Sequence, residues 1–216
     1  TGGVDLAVGA LTALAGAVAG YMMVKLGINP YLAILAAFGI GAAVGLFNGY
    51  LVAFVGIPAF IVTLGGLTLW RGLAFESTGG FDMAGLPEPF PFIGNGELLG
   101  IPMPIIVMAL FYGVMGFILS STKLGRYVYA IGSNEMGARQ VGINIRWYKL
   151  GVYLVSGLSC ALAAIVLMGR MDSSSGKMAQ MFELDAIAAV ILGGTSLFGG
   201  RGSLWGSLLG AILIGM

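Results

Sequence analysis

The chain has no histidine, one cysteine and little charge. Each shortage excludes something. With Cys160 alone, no disulfide forms within the chain, and a histidine or cysteine metal site is excluded as well. No histidine base is available, and no acid–base pair stands out in its place. Charged residues make up 9% of the 216, against about 25% in soluble domains. A net charge of +1 offers no bulk field for nucleic acid. The phosphate-loop pattern G-x-x-x-x-G-K-[ST] is also missing, since Gly176-Lys177 runs into Met178 without the upstream glycine. Any ATP used must be bound by a separate polypeptide, and no cofactor is expected on this chain.

What the chain has is apolar surface. It is 58% hydrophobic with a mean hydropathy of +1.00, which identifies an integral membrane protein. Its 38 glycines suit close helix packing in lipid. The expected fold is all-α: a polytopic transmembrane helix bundle forming a single domain over 1–216. The start at Thr1 and the stop at Met216 inside an apolar run suggest the middle and late part of a longer protein.

A membrane-crossing helix needs about 20 apolar residues. Uncharged stretches place spans near 6–24, 31–54, 58–72, 103–121 and 150–169, with another beginning at 203. Gly56-Ile57-Pro58 divides the long run 26–70, because proline disfavours helix in the residue before it. Residues 186–200 are apolar but short, with two Gly-Gly pairs. They read as a half-helix, a re-entrant segment or a short buried span, since irregular backbone survives at membrane depth only where protein or water satisfies it.

The one long basic segment is 123–149. It holds Lys123, Arg126, Arg139, Arg146 and Lys149 against Glu135. That bias marks a cytoplasmic loop, and it puts 71–102 and 170–185 outside. Within it lies a short helix candidate. Ser133 or Asn134 can cap its start, and Gly142 can end it. A stub of about two turns is unstable alone, so it must pack on something. Basic loops of this kind also serve topology alone or touch anionic lipid.

Glycines recur at helical spacing: Gly41/Gly45/Gly49, Gly16/Gly20 and Gly206/Gly210. Ordinary helix packing explains them best. Asp5 opens an apolar run, either as a helix cap or as a pathway residue at membrane depth. Glu183 and Asp185 precede the short segment 186–200, where negative charge suits a helix N-terminus. Asn48 and Thr63 are polar residues inside apolar spans. Thr195 and Ser196 lie between the Gly-Gly pairs.

Four stretches together resemble the permease subunits of bacterial ribose/xylose/galactose-type ABC importers. They are Gly2-Gly3-Val4-Asp5-Leu6-Ala7-Val8-Gly9, Pro58-Ala59-Phe60-Ile61-Val62-Thr63-Leu64-Gly65-Gly66, Gly132-Ser133-Asn134-Glu135 through Arg139 to Gly142-Ile143, and Glu183-Leu184-Asp185 through Gly193-Gly194-Thr195-Ser196-Leu197. Two departures stand out: Ala7 where serine is usual, and Gly137-Ala138 where two alanines are common. The resemblance implies a multi-pass permease of the bacterial inner membrane that translocates a monosaccharide. Its partners would be a second permease copy (a homodimer), cytoplasmic ATPase subunits, a periplasmic sugar-binding protein and membrane lipid. The coupling helix would comprise Asn134, Glu135, Met136, Ala138, Arg139, Val141 and Gly142. Translocation-path candidates are Asp5, Asn48, Phe60, Thr63, Asp185 and Thr195.

Three rivals share the composition. One is a permease of the same architecture for a branched-chain amino acid or a nucleoside. Another is an ion-coupled carrier, which predicts inverted repeats and intramembrane ion ligands. The third is a polytopic membrane enzyme.

Overall fold

Helix α1 (Val8–Val24) is apolar on every side and is buried along most of its length. An all-round apolar helix belongs in the middle of a bundle, and α1 is enclosed by α2 (Pro30–Tyr50), α3 (Ala59–Thr78) and α8 (Ile145–Met171). The computed structural model describes all residues, 1–216. The remaining helices are α4 (Phe90–Asn95), α5 (Met103–Ser121), α6 (Lys123–Ser133), α7 (Glu135–Gln140), α9 (Phe182–Leu192) and α10 (Leu204–Gly215). Four two-residue strands pair as β1 (Met83–Ala84) with β4 (Ser173–Ser174) and β2 (Glu97–Leu98) with β3 (Ile101–Pro102). The architecture is the expected all-α bundle. Four of its helices are long and apolar enough to cross a membrane: α2 with its extension, α3, α5 and α8.

Local chemistry sets the helix boundaries. Asn29 accepts from the Tyr31 amide at 2.9 Å and Pro30 opens α2, the combination favoured at helix starts. The far end of α2 widens into a π-helical turn, Leu51–Val55, which stops at Gly56 in the left-handed region (φ +85°). Pro58 then starts α3. The break predicted at 56–58 is therefore present.

The glycines of α2 do what ordinary packing requires. Gly41 lies against the Gly157 carbonyl, and Gly45 and Gly49 lie against Tyr153 and Leu150, all on α8. Gly206 and Gly210 of α10 meet Gly193 and Ala189 in the same way. Gly16 and Gly20 differ. They face Met168 of α8 and receive Met178 and Ser174 of a non-helical, turn-rich strap, 172–181. The Ser174 hydroxyl donates to the Gly16 carbonyl at 2.8 Å.

Three expected boundaries move. α3 continues past 72 to Thr78, because the Arg71 guanidinium finds acceptors inside the protein. α8 begins at Ile145 rather than 150 and takes in Arg146 and Lys149. The segment read as a loop, 123–149, is mostly helix: α6, α7 and the first turn of α8. Of the alternatives left open for 186–200, the structure takes the half-helix. α9 is 11 residues long, about 16 Å at 1.5 Å per residue. Left-handed glycines at 194, 199 and 200 follow it.

The basic residues identify the two ends. Lys123, Arg126, Arg139, Arg146 and Lys149 lie at the end where α2 stops and α8 starts, and this is the inner end by the charge rule. The other end carries β1–β4 and α4. There Asp172 accepts from the Leu86 amide at 3.1 Å, and the Asn95 side chain donates to the Gly169 carbonyl at 2.9 Å.

Candidate functional site

Two passages through the bundle are part non-helical and part helical. Residues 1–7 are non-helical, and α1 then runs to the outer end. The strap 172–181 enters from the outer end, and α9 then runs towards the inner end. The two helix starts meet inside the protein, where Gly9 touches Ala179 and Glu183.

The β1–β4 pairing and the Ser174 bond to Gly16 hold the first part of the strap, and one side chain from α3 holds the rest. Arg71 donates to the carbonyls of Gly176 (3.2 Å), Met178 (2.6 Å) and Ala179 (3.2 Å). Glu183 is 6% exposed, and its Oε2 has no hydrogen-bond partner. It flanks Gly9 together with the Arg71 guanidinium. Arg71 was not singled out from the sequence, because a charge at the end of an apolar run reads as the start of a loop.

Asp5 precedes α1 by three residues. Its Oδ1 accepts from the Ala7 amide at 3.0 Å, and its Oδ2 accepts from the Ser156 hydroxyl of α8 at 2.9 Å. The first bond closes a local turn of the kind aspartate favours, and the second ties that turn to α8. Asp5 is not at the N-cap position of α1; Ala7 is, without a side-chain cap.

Asp5 and Thr195 line one cavity of about 360 Å³, together with Tyr129, Ser196 and Ser207. Tyr129 donates to the Gly202 carbonyl at 3.0 Å, and the Thr195 and Ser207 hydroxyls lie 3.5 Å apart. The lining offers hydroxyls, carbonyls, one carboxylate (Asp5) and one guanidinium (Arg201). That set can hydrogen-bond a neutral, hydroxyl-rich solute. It holds no nucleophile with an adjacent base, and no three acidic or thiol side chains cluster as metal ligands.

The other path candidates lie elsewhere. Asn48 (3% exposed) and Thr63 (0%) are buried in helix packing. The Thr63 hydroxyl sits within bonding distance of the Ala59 and Val4 carbonyls, at 2.9 and 3.2 Å. Phe60 and Asp185 are exposed on the outside of the bundle. Sequence reading also passed over Ser156 and Tyr129. Ser156 carries the same signal as Asn48, a polar residue in an apolar run. Tyr129 carries none, because its partner is 73 positions away.

At the inner end, α7 is capped on both sides. The Asn134 side chain accepts from the Gly137 amide at 2.9 Å. At the other end the Gly142 amide donates to Arg139 O and the Ile143 amide donates to Ala138 O, both at 3.1 Å, with Gly142 at φ +81°. This is the Schellman arrangement, which satisfies the last carbonyls of a helix. Ala138 is buried with Ile131 and Ile145, and Ile143 packs on them. Met136 and Val141 point away, 74% and 76% exposed. Lys149 clasps Glu135 at 2.7 Å, and Arg139 stands 3.9 Å from the same carboxylate.

A backbone junction joins α6 to the cavity floor. A Cβ on Gly132 would sit 2.5 Å from the Gly200 amide. One on Gly199 would sit 2.7 Å from the Gly2 nitrogen and 3.0 Å from the Gly132 carbonyl. Three chain segments thus meet with no side chain between them.

Comparison with known proteins places these features in a family. The pattern of the family described as "Branched-chain amino acid transport system / permease component" matches residues 1–216. The ribose import permease protein RbsC of Escherichia coli is 42% identical over 219 residues, covering 100% of this chain and 68% of the relative. RbsC of Bacillus subtilis is 43% identical over 217 residues, covering 100% and 67%. The fructose import permease protein FrcC of Rhizobium meliloti is 36% identical over 227 residues, covering 100% and 62%. No solved structure matches.

Proposed function

The chain belongs to the branched-chain amino acid transport system / permease component family, and we propose that it is the membrane permease of an ATP-driven monosaccharide importer. It is a multi-pass protein of the inner membrane. The relatives named for ribose and fructose supply the substrate class. The hydroxyl-lined cavity at Asp5, Tyr129, Thr195 and Ser207 suits such a neutral solute. Energy comes from ATPase subunits on the inner side, since the chain has no phosphate loop of its own. A sugar-binding protein delivers substrate at the outer end, and a second copy of the permease completes the pathway.

The observation that carries this reading is α7. A six-residue helix has no stability of its own, yet here both ends are capped and one side is seated on the bundle. Its free side presents Met136 and Val141. A partner groove would bury these two side chains and push on the helix as it closes. Rigid-body transmission of this kind is a common route for switching transitions.

The test uses the intact permease with its ATPase and binding protein in proteoliposomes. Met136→Glu with Val141→Glu should abolish ATP-dependent uptake of labelled ribose or fructose and co-purification of the ATPase. Membrane insertion should be unchanged, since both side chains are exposed. Wild-type uptake by this variant, or uptake of leucine in preference to sugar, would overturn the reading.

A further inference from the structure

We propose that a cavity at the inner end, between the π-helical turn of α2 and the start of α8, holds the headgroup phosphate of an anionic phospholipid from the inner leaflet. The cavity measures about 380 Å³. Its wall includes Phe54, Arg139, Arg146 and Trp147, and it contains no carboxylate. Arg146 has no acidic side chain within 4 Å. The nearest acid on α7, Glu135, is already engaged by Lys149 at 2.7 Å. Two guanidinium groups thus face one notch, and Arg146 makes no ion pair; the adjoining cavity, which both arginines also line, carries the Glu135 carboxylate that Lys149 holds. Guanidinium matches phosphate geometry through paired N–H donors.

The depth of the notch selects a lipid over a soluble anion. Tyr50 stacks on Phe54 at 5.5 Å, and Phe54 meets Trp147 edge-on at 5.4 Å. Trp147 is 61% exposed. Rows of tryptophan and tyrosine sit at the level of the lipid headgroups, and basic pockets on the cytoplasmic side of transmembrane helices bind headgroup phosphates. Above the notch, Phe47, Tyr50 and Val55 are exposed along α2 and its extension, an apolar track on which an acyl chain can lie. The π-helical turn is part of the construction. It carries Phe54, which meets Trp147, and such turns inside helices recur at functional positions.

The site is separate from the coupling face. Met136 and Val141 do not line it, so lipid binding and ATPase docking can be tested apart. Arg139 is reachable by both, and the decisive variant is therefore Arg146→Gln. The intact permease would be extracted in mild detergent from vesicles of phosphatidylcholine with phosphatidylglycerol, and retained lipid counted by native mass spectrometry. The wild type should keep phosphatidylglycerol in preference to phosphatidylcholine. Arg146→Gln should reduce that retention at least fivefold, and Trp147→Ala should weaken it. Lys123→Gln, a basic residue at the same end but outside the cavity, should leave it unchanged. Equal retention by Arg146→Gln overturns the proposal. An equal loss with Lys123→Gln does so too, because it would mean a diffuse field. Unchanged lipid with lost ATPase co-purification would assign the notch to the soluble partner instead.

Discussion

Arg71 fastens the strap to the bundle, and its loss should be felt in two ways. Arg71→Gln removes charge-assisted hydrogen bonds to three carbonyls and leaves Glu183 without its neighbouring cation. A hydrogen bond to a charged group contributes about 1.5–3 kcal/mol, so the variant should lose about 2 kcal/mol of stability. Thermal unfolding in detergent would read this, along with faster proteolysis within 172–181. Adding Glu183→Gln should recover part of the loss, because the buried charge left unpaired is the larger penalty. Strict additivity of the two changes would show that the residues are uncoupled. Sequence reading reached Glu183 as charge at a helix start, which is a local pattern. It did not reach Arg71, because the three acceptors lie more than 100 positions away.

The clearest test at the scale of an element is α7. Asn134→Ala should cost about 1 kcal/mol through the lost cap. Gly142→Ala should cost about 1–2 kcal/mol, because φ is +81° there and a side chain is strained in the left-handed region. Each change should raise amide exchange across 135–140 while leaving α8 protected. Unaltered exchange in both would mean that packing of Ala138, rather than the caps, holds the helix. These caps were legible because capping is written in neighbouring residues. α6 was not, since eleven residues carrying Lys123 and Arg126 look like loop on a hydropathy scale. The strap was not legible either. Its fit depends on Gly16 and Gly20 receiving Met178 and Ser174, and nothing local in either segment announces the other.

Across the whole molecule, orientation is the property most open to direct measurement. Cys160 is the only cysteine and is buried, so Cys160→Ala gives a clean background. In it, Met136→Cys should label with an impermeant thiol reagent only from the ATPase side. Phe81→Cys, at a position 78% exposed at the other end, should label only from the opposite side. Labelling of both from one side would invert or break the topology. The spans were legible because length and apolar character are additive along the chain. The two mixed crossings were only half legible, since a non-helical stretch at membrane depth is stabilised by distant partners.

The meeting of Gly2, Gly132 and Gly199–Gly200 has a mechanical meaning. Side chains act as springs: they change rotamer and absorb small displacements before passing them on. Here main chain bears directly on main chain, so the joint has almost no slack. A small shift of α6 should therefore reappear in the 199–202 turn and in the segment before Asp5, like a gear train without backlash.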